Sequence, residues 1–290
     1  MIMSTVDLDS GHITQKRRLQ DKKIKPGGGA KLADNDVFFD VKQKVRKTSQ
    51  GQVELPILYY DTSNVLAFFI CEREKVEVFL EGTELKPGLS IGKYCVVAIS
   101  FYEYRKTSVG SYNEVGLAIP VLKEGDRAPL SGITDLYRNI EQRDLGFYVI
   151  DLPVTTPVAN AAGRELWGYP KFVTKILFSL SNDRFHGKVL DPDTRGLIVS
   201  LDGKLGFGKI MPPLSPVTYS IYKKQLLRTM VNVIGDVKLS IPLGMKLTVS
   251  SSSDHVMAKH LRDLGLSGAH PIALMSTDKF QSRLNEGIKV

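Results

Sequence analysis

Residues 112–121 read "YNEVGLAIPV": three polar or mixed positions, then an apolar run that continues through Leu122 and breaks at "KEGDRAP". A run of that length, rich in branched residues and closed by turn formers, reads as a strand that is buried for most of its length. The same pattern recurs on both sides: "LPILYY", "VLAFFIC", "VEVFL", "YCVVAISFY", "GFYVIDL", "FVTKILFSL", "GLIVSL" and "MKLTVS". Turn-rich stretches such as "EGTELKPG", "SNDRFHG" and "DPDTRG" separate them. Strands do not alternate regularly with helices, so a doubly wound parallel sheet is excluded. The expectation is a mainly β (β-rich α+β) domain with few helices.

Three helices are expected. "DHVMAKHLRDLG" has Asp254 as its cap and stops at Gly265, with Val256, Met257, His260, Leu261 and Leu264 on one face. "TDLYRNIEQRD" and "TDKFQSRLN" are the other two. At the N-terminus, residues 1–35 are polar and end near "KPGGGAKLADND", which breaks any regular element. They are read as a flexible basic arm, with "HITQKRRLQDKK" as a short helix inside it, and residues 36–290 as the folded domain.

The formal charge of +8 invites a nucleic-acid reading, but its distribution argues against one. Residues 1–50 hold 11 Lys and Arg against 6 Asp, a net of +5, which leaves only +3 for the rest of the chain. No apolar run approaches the roughly 18 residues of a membrane helix, and the first residues lack a secretory apolar core. The expectation is a soluble cytoplasmic protein with neither nucleic-acid nor membrane partners. Cys71 and Cys95 each sit in an apolar run and are read as reduced core residues.

Several motifs fail on inspection. "GKLGFGKI" (203–210) spells G-x-x-x-x-G-K, but Ile210 stands where a metal-binding hydroxyl belongs, and "MPPLSP" follows instead of a helix. It is read as a glycine-rich hairpin. His255 and His260 are five apart, off a common helical face, and no Cys lies near them, so no metal site and no cofactor are expected. "VSSSSDH" reads as a polar loop and cap rather than a serine nucleophile.

"GRELWGYPKF" (163–172) is different. It surrounds Lys171 with Trp167, the only tryptophan, Tyr169, Pro170 and Phe172. Burial disfavours the charged form of an amine, and a desolvated lysine is a Schiff-base nucleophile. The local residues alone leave a second reading open: a solvated lysine at a strand start, with aromatic neighbours that pack the core.

"GRELWGYPK" resembles the lysine motif of the acetoacetate decarboxylase family, G-R-E-x-x-x-Y-P-K-K, and the family's Schiff-base lysine falls on Lys171. "YNEVGLAIPV" is similar to the family's Y-x-E-x-G-x-A-I-P-V, which puts its active-site glutamate on Glu114. "HPIALMS" (270–276) resembles the closing strand more weakly. The resemblance spans roughly residues 55 to 285. It implies antiparallel sheets forming a closed, cone-like barrel around an apolar pocket, and assembly into tetramers or larger homo-oligomers. It implies a lyase acting on a small keto or oxo acid, with Lys171 as nucleophile and Glu114 as acid/base. Tyr112, Trp167, Tyr169 and Phe172 are the candidate substrate-binding residues, and Arg164 and Glu165 are read as an ion pair or backbone anchors.

The departures are specific. Phe172 replaces the family's second lysine, so the neighbouring cation that activates the first is missing. "LPILYYDTSNVLAFFIC" contains no arginine, where the decarboxylases place one on an early strand. The segment between the two motifs is also longer than in the family. The reaction is therefore open between decarboxylation of a β-keto acid and the aldol, dehydration or hydration chemistry of relatives. A non-catalytic protein that keeps the pocket for a small ligand is the alternative.

Overall fold

The computed structural model describes residues 37–126, 135 and 138–290. Val41–Val290 forms one compact unit; of the other, Met1–Asp40, only residues 37–40 are described. The expected basic arm and its short helix lie outside the described residues.

The chain is mostly strand, as its apolar runs predict. In order these are β1 (Lys44–Thr48), β2 (Gly51–Leu55), β3 (Ile57–Glu72), β4 (Leu85–Pro87), β5 (Ser90–Ile91), β6 (Tyr94–Thr107), β7 (Tyr112–Lys123) and β8 (Gly146–Asp151). Then follow β9 (Ile176–Ser181), β10 (Arg184–Leu190), β11 (Leu197–Met211), β12 (Val217–Tyr222), β13 (Gln225–Gly235), β14 (Val237–Val249), β15 (Ala273–Leu284) and β16 (Ile288–Lys289). Among the described residues, the α-helices between them include α1 (Arg73–Glu77), α2 (Pro157–Trp167) and α3 (Val256–Asp263).

Hydrogen bonds run in a ring through β13, β12, β8, β7, β6, β3 and β15, which pairs back to β13. All these pairings are antiparallel except β8 with β12. From β15 the sheet continues outward through β14, β11, β10 and β9. β6 and β7 lie between two apolar environments, which is why they read as near-continuous apolar runs. Val97, Ile99 and Phe101 on β6, with Val115, Leu117 and Ile119 on β7, point to the main core. There Phe101 meets Phe185 edge-on at 5.3 Å, and Phe178 meets Phe185 at 5.2 Å. Each such buried side chain contributes on the order of 1.5–3 kcal/mol. The alternate residues, Ala98, Ser100, Tyr102 and Tyr104 on β6 with Glu114, Gly116 and Ala118 on β7, face the interior of the ring.

Several expectations change. "VEVFL" is helical rather than a strand: it completes α1 and continues as a 3₁₀ turn over Val78–Leu80, burying Val76 and Leu80, four residues apart. "TDKFQSRLN" is the second half of β15, because β3 and β13 pair with it from both sides. Tertiary pairing there outweighs local preference. Of "TDLYRNIEQRD", part lies outside the described residues, and Ile140–Gln142 forms a 3₁₀ turn. α3 forms as expected, but its cap is His255, whose Nδ1 accepts from the Met257 N–H at 3.2 Å, rather than Asp254. Met257, Ala258, Leu261 and Leu264 are buried, while Val256 is exposed. The "GKLGFGKI" glycines lie inside β11, Gly203 and Gly206 at irregularities in its pairing with β14 and Gly208 in regular register, not in a hairpin. A Cβ on Gly206 would sit 1.9 Å from the Ile241 carbonyl oxygen, so close strand approach explains that glycine. Cys71 and Cys95 are free, buried and opposite each other on β3 and β6. Burial pushes their thiols up to about 12 and about 11.

Candidate active site

The site begins with a helix outside the three expected from the sequence. Thr156 caps α2 through its Oγ1, which accepts from Ala159 N–H at 3.4 Å, and Pro157 stands where no intrahelical donor is needed. The helix ends at Gly168 in the left-handed conformation, φ 69°, with its N–H on the carbonyls of Arg164 and Gly163. The chain then reverses around Pro170, with Lys171 N–H donating to the Tyr169 carbonyl at 2.8 Å. Residues 170–174 run beside 152–154: Leu152 N–H reaches the Pro170 carbonyl at 3.1 Å, and Val154 N–H reaches that of Phe172 at 2.9 Å. Arg164 Nη1 donates to the Lys171 carbonyl at 2.8 Å, and Glu165 accepts from Ser49 N–H at 2.9 Å. Both act as backbone anchors, on different partners.

Glu114 and Lys171 are 57 positions apart, yet only two rungs separate their segments. Glu114 bridges Val154 antiparallel, and Val154 bridges Val173 in parallel. Two rungs span roughly 10 Å of backbone, which the lysine stem and the glutamate close between them. Lys171 Nζ donates to Glu114 Oε2 in an ion pair buried on both sides, 7% and 9% exposed. Gly163 leaves room for the stem: a Cβ there would lie 2.2 Å from Lys171 Cε and 2.3 Å from Cδ. Tyr104 donates its phenol to Glu114 Oε1 at 3.3 Å. The Tyr112 ring lies 6.0 Å from Nζ, and its hydroxyl shares a hydrogen bond with Tyr59 at 3.1 Å. Burial, followed by repulsion from the Glu114 charge and neighbouring phenols, raises Tyr104 well above its ordinary value. Tyr59 and Tyr112 shift the same way, burial first. Tyr102 and Tyr169 are pushed up to about 12, again chiefly by burial. These phenols stay protonated at neutral pH, and Tyr104 donates to the carboxylate.

The pair sits at a cavity of about 170 Å³ inside the strand ring. This exceeds the roughly 150 Å³ of an apolar cavity known to take up benzene. The space exists because the inward positions of β6 and β7 include Ala98, Ser100, Gly116 and Ala118. Of the residues proposed from sequence, Lys171, Glu114 and Tyr169 line it. Trp167, Tyr112 and Phe172 do not. Trp167 is fully buried, stacks on Tyr169 at 6.1 Å and donates Nε1–H to the Asn285 carbonyl at 3.0 Å. It is part of the wall behind the cavity. Tyr112 sits one layer back, against Tyr59 and Tyr104. Phe172 points the opposite way from its extended-chain neighbour Lys171 and packs on His255, ring centroids 4.5 Å apart. Tyr59, Asn64, Tyr102 and Tyr104 were missed; the alternation in "FYEYR" was the signal for the last two. Among the described residues, no cluster of His, Cys, Asp and Glu is arranged to hold a metal ion, and no helix is long and apolar enough to cross a membrane.

A strand ring closed around an apolar cavity, with one lysine and one glutamate paired in its wall, defines a β-rich, lysine-centred architecture. The family model described as Acetoacetate decarboxylase (ADC) matches residues 46–217, more than half of the chain, and the chain belongs to that family. Solved structures of similar fold include one from a study of acetoacetate decarboxylase, at 16% identity and a TM-score of 0.58, covering 81% of this chain and 89% of that one. The acetoacetate decarboxylase of Legionella pneumophila is similar at 14% identity and a TM-score of 0.59, covering 92% and 98%. The enduracididine biosynthesis enzyme MppR complexed with pyruvate is similar at 13% and 0.57, covering 81% and 90%. No curated protein matches the sequence significantly.

Proposed function

We propose that this protein is a lyase that forms a Schiff base between Lys171 and the carbonyl group of a small-molecule substrate. The observation that carries this reading is the buried ion pair of Lys171 with Glu114 at the cavity wall. The pair is neutral as a whole whichever partner holds the proton. Transfer of that proton from Nζ to the carboxylate frees the lone pair, which attacks the carbonyl carbon. Glu114 then donates to the carbonyl oxygen, takes a proton from nitrogen, and donates again as water leaves, so that an iminium faces a carboxylate. The same carboxylate can accept an α-proton to give the enamine, which serves aldol, dehydration and hydration chemistry. Tyr104 holds one carboxylate oxygen and directs the other toward Lys171.

The family favours a keto or oxo acid, and the similar MppR structure contains pyruvate. Decarboxylation in addition requires a held substrate carboxylate. Among the described residues no cation other than Lys171 lines the cavity, which favours the non-decarboxylating chemistries. The apolar cavity also supports the rival reading, a binding protein without catalysis. Family resemblance further supports a cytoplasmic homo-oligomer, a tetramer or larger, and the polar, glycine-rich composition of residues 1–35 supports an arm on a 36–290 domain.

Borohydride reduction in the presence of acetone or pyruvate, followed by peptide mapping, tests the proposal. The expected adduct is on Lys171 and disappears in Lys171→Ala. Labelling of Lys175 or Lys123 instead, or of nothing, would refute it and leave the binding protein.

A further inference from the structure

We propose that the cavity is built for an uncharged ketone or aldehyde whose apolar body extends away from Lys171, rather than for an oxo acid. The inference rests on the Schiff-base reading of Lys171 and narrows its substrate class away from the acid expected from sequence.

The first observation is charge. Glu114 and Lys171 are the only acidic and basic side chains lining the cavity among the described residues, and they neutralise each other. After condensation with a neutral carbonyl compound, the iminium replaces the ammonium opposite Glu114, and the buried set stays neutral. An oxo acid brings a second carboxylate to one cation. One of the two carboxylates must then either stay without a counter-charge in a largely apolar cavity or take up a proton, and a Glu114 held protonated no longer serves as the base. If the substrate carboxylate instead displaced Glu114 from Lys171, it would remove the group that handles the protons.

The second observation is that much of the polar lining is already hydrogen-bonded within the protein. Asn64 Nδ2 donates to Ser100 Oγ at 2.7 Å and to the Phe101 carbonyl at 3.0 Å. The Tyr169 hydroxyl is bonded to Thr218 at 2.7 Å, and that of Tyr59 to Tyr112 at 3.1 Å. These bonds engage polar groups that would otherwise be free to solvate a carboxylate.

The third is shape. Register places Tyr102 opposite Glu114, and Ala98 opposite Ala118, four residues further along β6 and β7. At about 3.3 Å per residue, the cavity wall runs roughly 13 Å from the Lys171–Glu114 level. Along that run the inward side chains are small or apolar, joined by Leu66, Val149 and Met275 from neighbouring strands. A short polar acid leaves this space unfilled, and a hydrocarbon body fills it.

The bond changes are those of any imine. Nζ forms a bond to the carbonyl carbon, the carbonyl oxygen leaves as water, and borohydride supplies the hydride that fixes the iminium as a secondary amine. The test compares three probes of equal chain length on the full-length wild-type protein: 2-octanone, 2-oxooctanoate and 7-oxooctanoate. The two acids put the carboxylate beside the carbonyl or at the far end of the cavity. The expected result is half-maximal labelling of Lys171 by 2-octanone at a concentration at least tenfold below that needed for either acid. A preference under tenfold, or better labelling by either acid, overturns the inference while leaving the Schiff-base reading intact. If no probe labels Lys171, the Schiff-base reading falls, and calorimetry of 2-octanone against 2-oxooctanoate decides the cavity. Ketone binding at least tenfold tighter upholds the inference, and any other outcome, including no binding of either, overturns it.

Discussion

Gly163→Ala isolates the packing of the lysine stem from the chemistry of its amine. The glycine lies inside α2 and is not in the left-handed region, so alanine is compatible with the backbone and adds about 1 kcal/mol of helix propensity. The conflict is steric. The new Cβ would lie 2.2 Å from Lys171 Cε, 2.3 Å from Cδ and 3.2 Å from Cγ, against an ordinary carbon–carbon separation of about 3.5–4.0 Å. The helix is held by its Thr156 and Gly168 caps and by buried Trp167, so the stem gives way. It must move by roughly 1.3 Å or more to reach ordinary contact. A displacement of about 1 Å at a reacting group costs on the order of 100-fold in rate. Overpacking costs about 1–3 kcal/mol, which the helix gain partly offsets, so stability falls by no more than about 2 kcal/mol. The expected result is a folded protein whose melting temperature drops by a few degrees and whose borohydride labelling with acetone slows about 100-fold. Labelling at the wild-type rate would refute the claim that Gly163 positions Lys171.

Glu114→Gln keeps the shape but cannot relay protons. Iminium formation should slow by about 100-fold while equilibrium binding of an unreactive ligand changes far less, and equal losses in both would reduce Glu114 to positioning. Phe172→Lys restores the family's lysine pair in sequence only, because residue 172 faces His255 and not the cavity. Little or no gain in CO2 release from acetoacetate is expected, and brisk release by either the native protein or this variant would overturn that view. His260 donates to or pairs with Asp151 at 2.8 Å, and this hydrogen bond raises the imidazole above its ordinary 6.5 despite partial burial. Burial also raises Asp151 above 3.8, with His260 acting against that shift. With the folded His260 value raised, its contribution is complete below pH 6.5, as long as Asp151 is ionised, and is lost as pH rises through the folded value. Chemical denaturation should therefore show wild type exceeding His260→Gln by about 1 kcal/mol near pH 6, and by less at pH 9. A gap that widens with pH would contradict the assignment.

The sequence by itself determined the strand-rich class. Apolar runs separated by turn residues encode that locally, and the two motifs at 112–121 and 163–171 marked Glu114 and Lys171 by resemblance. What the sequence left open follows from one physical fact: alternation along a strand assigns residues to two faces but does not say which face looks where. Only pairing register decides that, and register is a long-range property. It turned Tyr102 and Tyr104 into the cavity, set Tyr112 a layer behind, and converted "TDKFQSRLN" from an expected helix into a strand held between β3 and β13. It also put Val154 between the Glu114 and Lys171 segments, so that groups 57 positions apart meet across two rungs. Gly163 shows the same division. Its lack of a side chain is plain in the sequence, but the lysine stem that needs the space appears only when α2 folds back over the chain that follows it.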